Sequence, residues 1–117
     1  MIQFDSDIKI WIYHKPVDMR KSIDGLSILV SEALSCNPQS RAVFLFYNRQ
    51  GDKFKALLWD KDGFILLYKR RETGRFCFPK HQRQHYCIDA DLFVWLRRGF
   101  DFSAINCDEE VKKTVYY

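Results

Sequence analysis

The fold is decided by residues 43–79, which read VFLFYNRQGDKFKALLWDKDGFILLYKRRETGRFCFP. Short segments rich in Phe and Leu alternate with turn signals, namely Gly51 and the pair Asp62-Gly63. An Asp-Gly pair between two apolar segments is a strong hairpin signal. The pattern therefore predicts successive antiparallel hairpins, not βαβ units, with strands at 43–47, 54–59 and 64–69.

Two further strands are predicted on either side of this stretch. A turn at residues 72–74 leads into a short strand at 75–78, which Pro79 stops. Upstream, the apolar run Ile8–Tyr13 (IKIWIY) predicts a first strand. Strands 54–59 and 64–69 are not cleanly half polar, so either both faces of the sheet are partly covered or one face binds a partner.

One long helix is predicted between the first strand and residue 43. Asp18 is its expected N-cap, and Asn37-Pro38 closes it. Gly25 lies inside it at a cost of about 1 kcal/mol relative to alanine, which suggests that a neighbour packs closely against its backbone. Spacings of three and four place one set of apolar residues on a single face toward the core: Met19, Ile23, Leu26, Val30 and Leu34.

A shorter helix is predicted near the C-terminus. Residues 80–85 are polar and predict a loop, Asp89 can cap the helix, and Gly99 ends it. The fold class is therefore α+β: an antiparallel β-meander of four to five strands packed on one long N-terminal helix, with a shorter C-terminal helix. We expect one compact domain at residues 1–102, followed by a polar tail or last helical turn at 103–117.

The charge of the chain is concentrated in its middle. The 117 residues carry a net charge of +4, yet residues 49–85 contain ten Lys or Arg against four Asp or Glu. Aromatic residues, 16% of the chain, are interleaved with these cations. A basic surface of this kind indicates a polyanionic partner, most plausibly nucleic acid. The N-terminus lacks a signal-peptide pattern and no apolar run is long enough for a membrane helix, so we expect a cytoplasmic protein with no membrane partner.

The candidate nucleic-acid-binding residues are the cations of this basic block: Lys53, Lys55, Lys69, Arg70, Arg71, Arg75, Lys80 and Arg83. Lys and Arg neutralise phosphates and release counterions. Three aromatic residues among them could stack on unpaired bases: Tyr68, Phe76 and Phe78. Arg20 and Lys21 form a possible phosphate site at the start of the first helix. The alternative is that Arg20 pairs with Asp18 or Asp24.

No pattern in the chain indicates catalysis, a cofactor or a metal. Cys77, His81, His85 and Cys87 do not have the spacing of a zinc finger. The carboxylates fall at turns and caps, and there is neither a P-loop nor a G-x-S-x-G motif. We therefore expect no enzyme activity, no cofactor and no metal site.

Short pieces of the chain, taken in order, resemble a known family. They are Lys9-Ile10-Trp11, Val17-Asp18-Met19-Arg20, Asp24-Gly25-Leu26, Val43-Phe44-Leu45-Phe46, Gly51-Asp52-Lys53, Leu57-Leu58-Trp59, Gly63-Phe64, Lys69-Arg70, Gly74-Arg75-Phe76, Pro79 and the segment from Leu96 to Asp101. Their order and spacing are similar to those of TnpB, the small accessory protein of IS66-type insertion sequences. Two positions differ from the family pattern: Arg71 stands where leucine is expected, and Phe78 stands where tryptophan is expected.

The resemblance implies a bacterial accessory protein in DNA transposition. Its implied partners are the DNA at the element ends, a separate transposase and a second small accessory protein. We expect it to bind DNA through the basic hairpin region and so help to assemble the transposition complex. The alternative is a protein-interaction module that docks on the transposase without binding DNA.

Overall fold

A computed structural model describes residues 8–76, 78 and 84–89. The described residues form five strands and one helix, in the order β1 (Lys9–Ile12), α1 (Ile23–Glu32), β2 (Ala42–Tyr47), β3 (Lys53–Asp60), β4 (Gly63–Arg70) and β5 (Tyr86–Ile88). The first four strands lie where the sequence predicts them. β5 lies between the loop predicted at 80–85 and the helix start predicted at Asp89, where no strand was predicted.

The strands form one mixed sheet in the order β4-β3-β2-β1-β5. β2, β3 and β4 pair as two antiparallel hairpins, and the pair Asp60↔Gly63 closes the second one at the predicted Asp-Gly turn. β1 runs parallel to β2 on one side and antiparallel to β5 on the other. Among the described strands, only three consecutive ones are joined by antiparallel hairpins, and the sheet is mixed.

The predicted fold class, an antiparallel meander of four to five strands on one long N-terminal helix, is therefore wrong. β1, α1 and β2 form a parallel crossover unit, which the sequence analysis had excluded. Parallel neighbours need a connection of a dozen or more residues. The segment between Ile12 and Ala42, which contains α1, is long enough for that connection.

The helix is shorter than predicted and begins later. It spans ten residues, its N-cap is Ser22, and its C-cap is Ala33. Asp18 does not cap it; the Asp18 carboxylate instead accepts a hydrogen bond from the backbone N–H of Arg20 at 2.9 Å, within a turn that precedes the helix. The predicted apolar face is nevertheless the one that packs, since Leu26 and Val30 are fully buried.

Apolar side chains cover both faces of the sheet. This was one of the two alternatives left open by the mixed polarity of the strands. On the helix face, Phe44, Phe46 and Leu57 pack with the apolar side of α1. On the other face, Val43 and Leu45 pack in a second cluster. Five of the six β2 residues are consequently buried, which is the pattern of a central strand covered on both sides.

The segment after β4 crosses the second face without forming a strand. Arg75, Phe76 and Phe78 have no strand pairing, so the predicted strand at 75–78 is wrong. The backbone N–H of Phe76 donates to the carbonyl of Gly51 at 2.6 Å. Gly51 has φ +76°, and a Cβ placed there would lie 3.2 Å from the Phe76 carbonyl oxygen, so this contact favours glycine.

Several expectations lie outside the described residues. They are the body of the C-terminal helix and the tail at 103–117, and also the site residues Lys80 and Arg83. The division into a domain at 1–102 and a tail stays a prediction. Within the described residues, no helix combines the length and the apolar character that a membrane crossing requires.

Candidate nucleic-acid interface

The sheet brings most described cations to one of its two ends. At this end β2 and β4 finish, β3 begins, and the chain enters α1. We call it the basic end. Its cations are Lys15, Arg20, Lys21, Arg49, Lys53, Lys55, Lys69, Arg70, Arg71 and Arg75, and its carboxylates are Asp18, Asp24, Asp52 and Glu72.

The opposite end of the sheet has a different charge balance. Among the described residues it holds the cations Lys9, Arg41 and Lys61 and the carboxylates Glu32, Asp60, Asp62 and Asp89. The hairpin topology produces this separation because it returns the basic C-terminal end of β4 to the basic N-terminal end of β3. The register pairs Lys53 directly with Arg70. Like charges opposite each other in a sheet are unfavourable, so carboxylates beside them are expected.

Ion pairs beside the two strands supply those carboxylates. Lys53 lies 3.6 Å from Asp52, and Arg70 forms a 2.9 Å ion pair with Glu72. The Glu72 carboxylate raises the pKa of Arg70, through a hydrogen bond first and through its charge second. The Arg70–Glu72 pair is exposed to solvent, and exposed pairs contribute little to stability.

The turn between β2 and β3 is built around Asn48. The buried Asn48 amide donates to Asp52 at 2.6 Å and to Gln50 at 3.2 Å, and its oxygen accepts from the backbone N–H of Lys53 at 3.0 Å. The hydrogen bond from Asn48 is the main reason that the pKa of Asp52 is lowered. This network holds Arg49 and Gln50 at the tip of the turn, where both are exposed.

Arg20 forms an ion pair with Asp18. This pairing was the alternative to a phosphate site at Arg20 and Lys21. Arg20 Nε and Nη2 donate to both oxygens of the Asp18 carboxylate at 2.7–3.1 Å. These hydrogen bonds lower the pKa of Asp18 to about 2. The pair lies before the helix, not in its first turn, and the Arg20 side chain is 91% exposed.

Lys55 has a structural position that distinguishes it from the other candidate cations. It is only 9% exposed, and its ammonium donates to the carbonyl of Lys21 at 2.8 Å, just before α1. The same ammonium lies 5.2 Å from the ring centroid of Tyr68. Lys55 therefore ties β3 to the start of the helix.

The remaining candidate cations follow β4. Arg71 Nε donates to the Thr73 carbonyl at 2.7 Å within the turn that follows the strand. Lys69 lies on the opposite face of β4 from Arg70, with its ammonium 5.9 Å from the centroid of the Phe76 ring. Arg75 is exposed at the end of the same turn.

A shallow groove lies at the basic end on the helix side of the sheet. It has a volume of about 470 Å³. One wall is the connection between β1 and α1, and the other is the turn between β2 and β3 with the adjoining ends of β3 and β4. Its lining residues are Pro16, Val17, Asp18, Met19, Arg20, Asn48, Arg49, Gln50, Lys53 and Tyr68.

The structure separates the three aromatic residues that were predicted to stack on bases. Phe76 and Phe78 are 2% and 5% exposed and pack in the core cluster on the face away from α1. Tyr68 is 54% exposed and lines the groove. The alternation of polar and apolar residues could not predict which of the three is exposed. Phe76 and Phe78 do not lie in a strand, so the two-residue period does not apply to them. Arg49 also lines the groove, although it was not among the predicted site residues; its only signal in the sequence is its place in the turn that contains Gly51.

The histidine and cysteine residues do not form a metal site within the described part of the chain. No group of three potential ligands occurs there. Cys77 and His81 lie outside the described residues. The His85 ring packs edge-on against Trp11 with centroids 5.2 Å apart, and burial raises the pKa of the Cys87 thiol.

The described residues thus define a small mixed-sheet domain with a cation-rich end and a groove between two loops. The chain belongs to the IS66 Orf2-like protein family, whose model matches residues 8–106. It is therefore an accessory protein associated with IS66-type transposition, as the resemblance in the sequence indicated.

Two similar proteins come from one bacterial strain, Sinorhizobium fredii NBRC 101917 / NGR234. The uncharacterized protein y4jC is 30% identical over 106 residues, which cover 91% of each chain. The uncharacterized protein y4hO is 29% identical over 102 residues, which cover 87% of this chain and 89% of the relative. No solved structure matches the chain.

Proposed function

We propose that this accessory protein binds the DNA at the ends of its insertion sequence through the basic end of the sheet. The observation that carries the proposal is the charge separation: ten cations against four carboxylates at one end of the described structure, and three against four at the other. A cation-rich surface attracts the phosphate backbone and gains affinity by releasing counterions. Bound DNA would then be presented to the transposase and the second accessory protein.

The ion pairs at the basic end are compatible with this role. Arg20–Asp18 and Arg70–Glu72 are solvent-exposed pairs formed between residues two apart in sequence. Because an exposed ion pair contributes little to stability, a phosphate can replace the carboxylate at little cost. In the protein without DNA, the carboxylates keep the guanidinium groups in position.

The test is a salt titration with a matched pair of double variants. Arg49→Gln with Lys53→Gln removes two charges from the basic end, whereas Lys9→Gln with Lys61→Gln removes two from the opposite end. Each phosphate contact contributes about 0.9 to the slope of log affinity against log salt. We expect the slope on terminal-repeat duplex to fall by about 1.8 for the first variant and to stay unchanged for the second.

Two results would count against the proposal. Equal losses in both variants would mean that net charge alone matters. The absence of binding by the unmodified protein at low salt, to the terminal repeat and to random duplex, would remove DNA as a partner.

A second candidate function, docking on the transposase, is favoured by the outer edge of β4. β4 is an edge strand of eight residues, and within the described part of the chain only β3 pairs with it. An exposed edge can accept a strand from another protein. Ile65, 37% exposed on this strand, would lie beside such a partner.

Co-purification with the element's transposase tests this docking. Ile65→Lys places a charge on the edge strand and should abolish the complex. Ile28→Lys is the control, because Ile28 is likewise apolar and exposed but lies on α1 and not on β4. If the complex survives Ile65→Lys, β4 is not the docking edge.

A further inference from the structure

The side chain of Tyr68 is exposed enough to contact a nucleic-acid base and is not part of the hydrophobic core. It lies on the edge strand β4, is 54% exposed, and lines the groove at the basic end. The ammonium of Lys55 lies 5.2 Å from the centroid of its ring. A cation against one side of an aromatic ring holds that ring in position, so the exposed part of Tyr68 is a fixed platform.

The walls of the groove carry cations near this platform. Arg20 lines it from the connection before α1, while Arg49 and Lys53 line it from the turn between β2 and β3. One lining carboxylate, Asp18, is already paired with Arg20. The lining side chains therefore carry three positive charges and one negative charge, a net charge of +2 available to a phosphate in the groove.

An aromatic ring among cations is the combination that binds single-stranded nucleic acid. Bases stack on the ring irrespective of their identity, and cations follow the backbone. In a duplex the faces of the bases are covered by their neighbours, and a base becomes available only when it leaves the stack. A duplex can therefore contact the cations of the groove through its phosphates, but its bases cannot stack on the Tyr68 ring.

We propose that the groove holds one unpaired nucleotide of DNA, with its base stacked on Tyr68 and its phosphates contacted by Arg20, Arg49 and Lys53. This inference rests on the proposed DNA binding and makes it more specific: the protein prefers single-stranded or frayed DNA to intact duplex. Such DNA is present wherever strands have been cut or separated.

The experiment measures the affinity of three proteins for three DNA probes of one sequence. The probes are a 12-nucleotide single strand, the corresponding duplex, and the duplex with a four-nucleotide overhang. The proteins are the unmodified chain, Tyr68→Leu and Tyr68→Phe. Leucine keeps apolar bulk without a ring, and phenylalanine keeps the ring without the hydroxyl.

We expect the unmodified chain and Tyr68→Phe to prefer the single strand and the overhang. Stacking on one aromatic side chain contributes substantially to the affinity for each base, so Tyr68→Leu should lose about 5- to 140-fold in affinity for those two probes. Its affinity for duplex should change less than about twofold. Thermal unfolding of each variant checks that the fold is retained.

Three outcomes would overturn the inference, and they are distinguishable. Equal binding of single strand and duplex, unaffected by Tyr68→Leu, rejects the stacking site but leaves the proposed DNA binding in place. Equal loss on all three probes shows that Tyr68 acts on the groove as a whole and not on an unpaired base. No binding to any probe rejects both proposals together.

Discussion

At the scale of single residues, the ion pair between Asp18 and Arg20 makes a measurable prediction. The pKa of Asp18 is lowered from 3.8 to about 2, so its carboxylate is more acidic in the folded chain than in the unfolded one. The contribution of the pair to stability is therefore complete above about pH 3.8 and is lost as the pH falls through about 2. Carboxyl chemical shifts followed by NMR against pH should give this low value. Arg20→Gln should return the pKa toward 3.8, and an unchanged pKa would show that Arg20 is not the cause.

Two glycine residues should respond to alanine in opposite directions. Gly51 has φ +76°, and an added Cβ would lie 3.2 Å from the Phe76 carbonyl. The left-handed conformation alone costs alanine about 1–2 kcal/mol, so we expect Gly51→Ala to destabilise the fold by at least that amount. Urea unfolding of the purified variant measures the loss.

Gly25 serves as the matched substitution within α1. The nearest described atoms to an added Cβ there are Lys21 Cβ and Cγ at 3.6 Å, which is an ordinary contact. The close approach expected from the sequence is thus not found among the described residues. Gly25→Ala should raise the free energy of unfolding by about 0.5–1 kcal/mol. A loss of stability would mean that a further part of the chain packs against this glycine.

At the scale of elements, Lys53 and Lys55 lie two residues apart on the same face of β3 and have separate roles. Lys55 joins the strand to the start of α1 through the Lys21 carbonyl. Because a hydrogen bond from a charged group is worth about 1.5–3 kcal/mol, we expect Lys55→Met to lower the free energy of unfolding by that amount. The salt dependence of DNA binding should not change.

Lys53→Gln should show the reverse behaviour. Its ammonium lies 3.6 Å from the carboxylate of the partly exposed Asp52, and such a pair contributes little to stability, so the free energy of unfolding should change little. The salt slope should fall by about 0.9 if Lys53 meets a phosphate. A salt slope altered by Lys55→Met and not by Lys53→Gln would contradict this division of roles.

The local elements were predictable and their arrangement was not. β2, β3 and β4 follow from alternating apolar segments and an Asp-Gly turn, which are short-range signals. β5 has three residues, too few for any periodicity to show, and its partner β1 is more than seventy residues away. The parallel pairing of β1 with β2 is not a short-range signal, because it depends on a crossover of about thirty residues between Ile12 and Ala42 and not on a turn.

The candidate site was predictable in charge but not in geometry. Composition located the cations of β3 and β4 correctly in one region. It could not show that Lys55 is buried beneath Tyr68, because a Lys and a Phe alternate there as they would on a half-exposed strand. It also could not show that the connection before α1 and the turn with Arg49 line one groove, since that arrangement depends on the crossover.

At the scale of the whole molecule, β5 completes the sheet and should be important for stability. Ile88 is 3% exposed and pairs with Ile10 in the core cluster on the face away from α1. We expect Ile88→Ala to cost about 2–5 kcal/mol, as large-to-small changes in a core do. Ile28→Ala is the control, because the exposed Ile28 should cost no more than about 0.5 kcal/mol. Equal urea midpoints for the two variants would show that β5 contributes little.

The position of β1 between β2 and β5 has a consequence for synthesis on the ribosome. The chain emerges N-terminus first, so β1 can pair with β2 soon after residue 47 appears, but its other edge waits for residues 86–88. During that interval the nascent chain carries an open strand edge, which is a template for association with other chains. A chain that stops between those points keeps β1 as an edge strand, whereas β1 lies inside the sheet once residues 86–88 have paired with it.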